Sequence, residues 1–267
     1  MLYKGYFSDA NRRRYGVEII TNASSSEQTD ILLGTDPCVI EQVSDGMFSP
    51  IKSRICRINI VTNSVFVDMY SPYAHGVEVN VKDLDNDVVL FHGYNTPAVY
   101  NQGYAHRLET ISLEAVDALS TLRNIKYSTA NLGVTDVLRC DAIVSRLLNL
   151  AGCPSSFYYP KTLTVDSSDN AMEKIYLNEA NFFDDDSEKT PWTCYDVLSE
   201  ITRYLGWSVV RYNNDTYFID YLNTSANNTA NYIYYNNGTS SAVTINTAQQ
   251  IDANDYLGDD TNISEED

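Results

Sequence analysis

In the stretch RICRINIVT, residues 54–62, apolar and polar side chains alternate, with Cys56, Ile58 and Ile60 on one side and Ile55, Arg57, Asn59 and Val61 on the other. A period of two predicts a strand with one buried face. The pattern returns in GVEVNVKDLDNDVVLFHGY, where strands over 77–82 and 88–94 flank an Asp/Asn-rich turn and so form a hairpin. HRLETISLEAV supplies a further strand.

The period changes at Asp117. DALSTLRNI places Leu119, Leu122 and Ile125 at helical spacing, with Asp117 as the cap of a short helix. A longer helix follows, with Thr135 or Asp136 as N-cap and Cys140, Ile143, Val144, Leu147, Leu148 and Ala151 on one face. Gly152, just ahead of Pro154, stops it. In TCYDVLSEITRYLG the buried face of a second long helix is Cys194, Val197, Leu198, Ile201 and Leu205, with Thr190 as cap, Pro191 in the first position and Gly206 as stop. The segment between the helices, residues 153–190, is too long for a structureless loop and is expected to hold one strand or short helix. After Gly206 comes a β-hairpin in WSVVRYNNDTYFIDY: Trp207, Val209 and Arg211 face one way, Ser208, Val210 and Tyr212 the other, and NND turns the chain.

These elements predict an α+β fold with a β-rich domain over 1–127, a second α+β domain over 128–250, and an acidic stretch, 251–267, that is a flexible tail or the start of a further region. The two long helices superpose at a constant offset, Cys140 on Cys194, Ile143 on Val197, Leu147 on Ile201 and Gly152 on Gly206. Two amphipathic helices with glycine stops align this way by chance as well as by duplication, and duplication is the lesser reading.

Composition narrows the function. At 267 residues and 43% hydrophobic the chain has enough apolar material for a sizeable core. With 18 Lys and Arg against 36 Asp and Glu, its net charge of −18 repels phosphate backbones, which disfavours nucleic acid as a bound ligand. No apolar run approaches the length of a membrane span, and the first residues lack the pattern of a signal peptide. Five cysteines, an odd number with no C-x-x-C pair, read as small buried apolar residues of a reducing compartment. The 21 tyrosines suit contact surfaces, since each offers apolar area and a hydroxyl at low entropy cost.

Catalytic signatures are missing. His75, His92 and His106 stand in no metal-ligand spacing, and no nucleophile elbow, P-loop or dinucleotide fingerprint occurs. Asp83, Asp85 and Asp87 in DLDND match the opening of a calcium loop, but Val88 stands where glycine is required and Tyr94 where the bidentate glutamate belongs, so the run reads as a turn. The acids of FFDDDSEKT read as a solvated loop. No catalytic residue, cofactor or metal site is therefore expected, and weight shifts to assembly or binding.

The order of motifs resembles the hub proteins at the tail tip or baseplate centre of tailed bacteriophages and prophages, including the N-terminal region of tail-tip proteins of long-tailed phages. VVLFHGYNTPAVY (88–100), LETISLEAVDALSTLRNIKY (108–127) and TPWTCYDVLSEITRYLGWSVVRYNNDTYFIDY (190–221) carry it, in matching order. The resemblance implies β-barrel-like tube domains with short packed helices and a homotrimer forming a pseudo-hexameric ring between the tail tube and spike or fibre proteins. It implies a place in the virion tail, with DNA as a passing cargo and no catalytic residues. Hubs are usually longer than this chain. A carbohydrate-binding or adhesin-like β-module and a cell-wall hydrolase with dispersed carboxylates stand as alternatives.

Overall fold

The computed structural model describes residues 1–23, 27–43, 46, 48–64, 66–96, 108–131, 133–161, 170–184, 189–221 and 229–246. The chain divides into two compact units, Met1–Val43 with Ser53–Asn124, and Ser44–Lys52 with the chain from Ile125 onward. Both are mostly β-sheet with a few short helices, an α+β chain.

The first unit contains β1 (Leu2–Ser8), β2 (Arg14–Thr21), β3 (Gln28–Asp30), β4 (Leu32–Gln42), β5 (Arg54–Thr62), β6 (Val77–Asp83), β7 (Val88–Asn95) and β8 (Glu109–Asp117). They form one eight-stranded sheet in the order β3-β1-β2-β6-β7-β8-β5-β4. All its pairs are antiparallel except β1 with β3. Alternation decides the core: Val17, Ile19, Cys56, Ile58, Ile60, Val79, Val81, Phe91 and Leu113 pack together, and Met69 joins them.

The two ends of this strand order are neighbours in sequence. Ile31 alone separates β3 from β4, and its N–H donates to the Lys4 carbonyl at 2.8 Å. One residue spans only about 3.5 Å, so the sheet rolls until its ends meet. Gly5 of β1 admits Leu33 of β4 there, since a Cβ on Gly5 would lie 2.8 Å from Leu33 Cγ. Side chains make this junction. Among the described residues no ladder joins β4 to β1 or β3, so the sheet is rolled without a closed hydrogen-bonded ring.

The strands expected over 54–62, 77–82 and 88–94 are present. Of the strand expected in HRLETISLEAV, residues 106–116, the described part runs as Glu109–Asp117, and residues 106 and 107 lie outside the described residues. Asp117 does cap the next element, its carboxylate accepting from Leu119 N–H at 2.9 Å, but that element is a 3-10 helix, Ala118–Asn124.

The second unit contains β9 (Val137–Arg139), helix α1 (Cys140–Leu150), β10 (Phe157–Pro160), helix α2 (Ala171–Lys174), β11 (Tyr176–Asn178), helix α3 (Cys194–Leu205), β12 (Ser208–Tyr212), β13 (Asp215–Ile219), β14 (Thr229–Asn236) and β15 (Thr239–Asn246). Five strands form a sheet in the order β12-β13-β10-β14-β15, and β9 pairs with β11. α1 packs on α3, and α3 on β12.

Both helix starts differ from expectation. Pairing with β11 keeps the backbone extended through Arg139, so α1 begins at Cys140 and neither Thr135 nor Asp136 caps it. Pro191 is held by a bridge to Phe183, and the cap of α3 moves to Thr193, whose hydroxyl accepts from Asp196 N–H at 3.1 Å. Thr193→Ala is expected to destabilise the second unit by about 1 kcal/mol, read as a lower urea midpoint by tryptophan fluorescence.

The connector holds more structure than expected: β10, α2, β11 and a 3-10 turn at Glu179–Phe182. The hairpin β12–β13 turns at Asn213 and Asn214, both with left-handed φ (45° and 69°), the conformation that asparagine tolerates and a two-residue hairpin turn needs. Ser208, Val209, Val210 and Arg211 are all buried, so both faces of β12 are covered rather than one.

Candidate functional site

The residues singled out by sequence are mostly held by neighbours. His75 Nε2 lies 2.9 Å from Thr121 Oγ1, and its ring is 4.3 Å from that of Tyr94. Burial, and then the nearby His92, push the His75 pKa below its ordinary value. His92 Nε2 lies 3.4 Å from Glu78 Oε1, whereas His106 falls outside the described residues. The DLDND run is the β6–β7 turn: Asp83 accepts from the Asp85 and Asn86 N–H groups at 3.0 and 3.2 Å, Asp85 binds Arg14 at 2.8 Å, and Asp87 takes a left-handed φ. Of the FFDDDSEKT acids, Asp184 accepts from Trp192 Nε1 at 2.8 Å, and residues 185–188 lie outside the described set. All five cysteines are free thiols, four of them buried and Cys38 partly so.

The densest polar arrangement is one that sequence reasoning passed over. Asn178 caps the 3-10 turn through its side chain, which accepts from Ala180 N–H at 3.0 Å, and this fixes Glu179 at the turn's first position. The Glu179 carboxylate is fully buried. It accepts from Tyr127 Oη at 2.8 Å, Ala130 N–H at 2.9 Å, Asp136 N–H at 3.2 Å and Arg146 Nη2 at 3.1 Å. Its own N–H donates to the Asp136 carbonyl at 2.9 Å. Arg146, from α1, also donates to the Ser128 carbonyl at 2.8 Å and lies 4.8 Å from the centre of the Tyr127 ring.

Burial pushes the Glu179 carboxyl up, but the Tyr127 hydroxyl, the two N–H groups and Arg146 outweigh it, so its pKa lies below the ordinary glutamate value. Burial and the hydrogen bond to Glu179 push the Tyr127 phenol well above its own. Both groups are held in one protonation state, carboxylate and phenol. Three of the four donors converge on Oε1 and one on Oε2, and together they tie Tyr127, Ala130, Asp136, α1 and the 3-10 turn to one buried carboxylate, the arrangement of a structural anchor.

Beside it lies a cleft of about 520 Å³ lined by Tyr127, Thr129, Thr135, Ala180, Phe183 and Lys189 among others. None of its described lining residues is Asp, Glu, His or Cys. A second, smaller groove of about 230 Å³ is lined by the apolar and aromatic Ile175, Leu177, Phe182, Trp192, Ile201 and Tyr204 together with Cys140, Asn181 and Glu200. Tyr204 stands 77% exposed at its rim. Aromatic rings line both hollows.

No family model and no curated protein matches the chain.

One face of the five-stranded sheet completes the picture. Tyr158 stacks on Tyr217 at 4.7 Å between ring centres and lies equally close to Tyr234, while Tyr217 and Tyr232 pack with Val210, Ile219 and Ile245. The tyrosine content noted in the sequence is thus partly core. Glu179, within NEANFF, carried no motif, and only its place between an Asn cap and two phenylalanines set it apart. No helix among the described residues is long and apolar enough to cross a membrane.

Proposed function

We propose that this chain is a non-enzymatic structural component of a phage or prophage tail, a hub at the tail tip or baseplate that joins the tail tube to spike or fibre proteins. The observation that carries the reading is the ordered run of motifs over residues 88–221. Two features of the fold agree with it: a rolled eight-stranded sheet of the kind a tube domain requires, and a second unit whose most connected carboxylate serves architecture. On this reading the rolled sheet is a tube domain, three copies associate, and the net charge of −18 keeps DNA passing through the ring from adhering.

Sedimentation of the purified chain, with electron microscopy of the product, tests this. Three times the 30.0 kDa subunit mass and a threefold ring that binds tail-tube or spike protein are expected. A chain that neither trimerises nor binds those proteins at any concentration overturns the reading. The groove with Trp192 and the exposed Tyr204 favours a second reading, a carbohydrate-binding module, because aromatic faces stack on sugar rings. Retention on a glycan array, abolished in Tyr204→Ala, would select it.

A further inference from the structure

The two large sheets manage their edges differently. β3 is only three residues long and includes Asp30. β4 carries Asp36 with a left-handed φ, Pro37, and a register shift between Leu33 and Cys38. β12 is bridged by Ile51, with Lys52 N–H donating to the Val209 carbonyl at 2.9 Å and Val209 N–H to the Pro50 carbonyl at 2.8 Å. Shortness, charge, proline, a bulge or a covering segment are the means by which proteins blunt an exposed edge.

Among the described residues β15 has none of them. Its eight residues, TSSAVTIN, pair with β14 without interruption from Asn236↔Thr239 to Thr229↔Asn246. No described strand pairs with its other side. Residues 221–251 contain no Asp, Glu, Lys, Arg or His in a chain that is 20% charged.

The turn fixes which groups face outward. Asn237 and Gly238 form a two-residue turn with left-handed φ at both positions, so the flanking pair Asn236 and Thr239 exchanges hydrogen bonds. Bonded and non-bonded pairs alternate from there. The backbone N–H and C=O of Ser240, Ala242 and Thr244 therefore point away from β14. Ala242 and Thr244 are exposed.

We propose that β15 pairs antiparallel with β15 of a second copy of this chain, about a twofold axis at Ala242. In that register Ala242 faces its counterpart and Ser240 faces Thr244, so each outward N–H meets an outward C=O. Charge selects the occupant. Copies that each carry −18 repel through most of their surface, and this strand brings them together where no charged side chain meets its like. The pairing is isologous and self-closing, so it ends at two copies rather than growing into a fibre.

The inference is independent of the tail reading. Analytical ultracentrifugation of the native chain is expected to give an even number of 30.0 kDa subunits, two where this edge alone pairs and six where three copies also associate as the tail reading has it. Ala242→Pro, which removes an outward N–H and no ladder bond, and Ala242→Lys should each weaken association at least about tenfold, with the circular dichroism spectrum retained. Ala242→Cys should form a disulfide between copies on mild oxidation, because directly opposed bonded residues lie about 5.5 Å apart at Cα. A native chain that stays monomeric overturns the proposal, as do folded Ala242 variants with the native mass. A lower melting midpoint in Ala242→Pro without a mass change would also overturn it, by showing that the chain's own residues fill the edge. A threefold mass unaffected by Ala242→Lys would overturn this pairing and leave the trimer reading standing.

Discussion

Glu179→Ala is expected to destabilise the second unit by about 3 kcal/mol, the lower end of the cost of breaking a buried ion pair. Removing the carboxylate leaves the Tyr127 hydroxyl, two backbone N–H groups and Arg146 without their acceptor. The cost sits at the lower end because Arg146 keeps some access to water, its side chain being 26% exposed. Glu179→Gln keeps the oxygen that takes Tyr127, Ala130 and Arg146 but turns an amide donor toward Asp136 N–H, so it is expected to cost about 1–2 kcal/mol. Both tryptophans, Trp192 and Trp207, lie in this unit, so urea unfolding followed by their fluorescence reads the effect directly. Equal midpoints for native chain and Glu179→Ala would refute the anchor.

The same carboxylate predicts an acid limb. Its folded pKa lies below the ordinary 4.5, so the folded state holds fewer protons at this site than the unfolded one. Its contribution is fully present above 4.5 and is lost as pH falls through the depressed folded value. In Glu179→Gln that limb should flatten.

Legibility in the sequence followed the range of the forces involved. Period-two and helical stretches came through because one buried face is a local pattern: Cys56, Ile58 and Ile60 lie in the core as their alternation requires. Errors appeared where a distant partner overrode a local preference. Thr190 and Pro191 have the chemistry of a helix start, but the bridge from Pro191 to Phe183 holds them extended, and Thr193 takes the cap. β12 alternates like a half-buried strand, yet the bridge from Ile51, far away in the chain, covers its edge, and both faces are buried. Glu179 was invisible for the same reason: its partners Tyr127, Asp136 and Arg146 stand 52, 43 and 33 residues away, and no short-range pattern encodes such a convergence. The bare edge of β15 was legible in part, because the uncharged run over 221–251 can be read from composition, whereas its place at the end of a sheet cannot.

Gly93→Ala should destabilise the first unit by about 3 kcal/mol, the upper end for overpacking a core. Gly93 lies in β7 between two partners, opposite Val79 of β6 and Asp117 of β8. A Cβ there would stand 2.0 Å from the Val116 carbonyl oxygen and 2.8 Å from its carbon, with Phe91 Cζ at 2.9 Å. The first two obstacles are backbone, and Val116 is itself paired with Ile55 of β5, so relief requires β8 to move against two ladders. β7 meets β8 over only three residue pairs, and forcing them apart opens the strand order at its middle. Gly16→Ala is the control that separates this from a general intolerance of added volume. Its Cβ would meet only the end of the Leu84 side chain, at 3.2 Å, which can turn aside, so it should cost less than about 1 kcal/mol. Far-UV circular dichroism during urea unfolding compares the two. Similar midpoints for both variants would show that β8 yields to a methyl group, and that the close β7–β8 approach is not what makes glycine necessary at position 93.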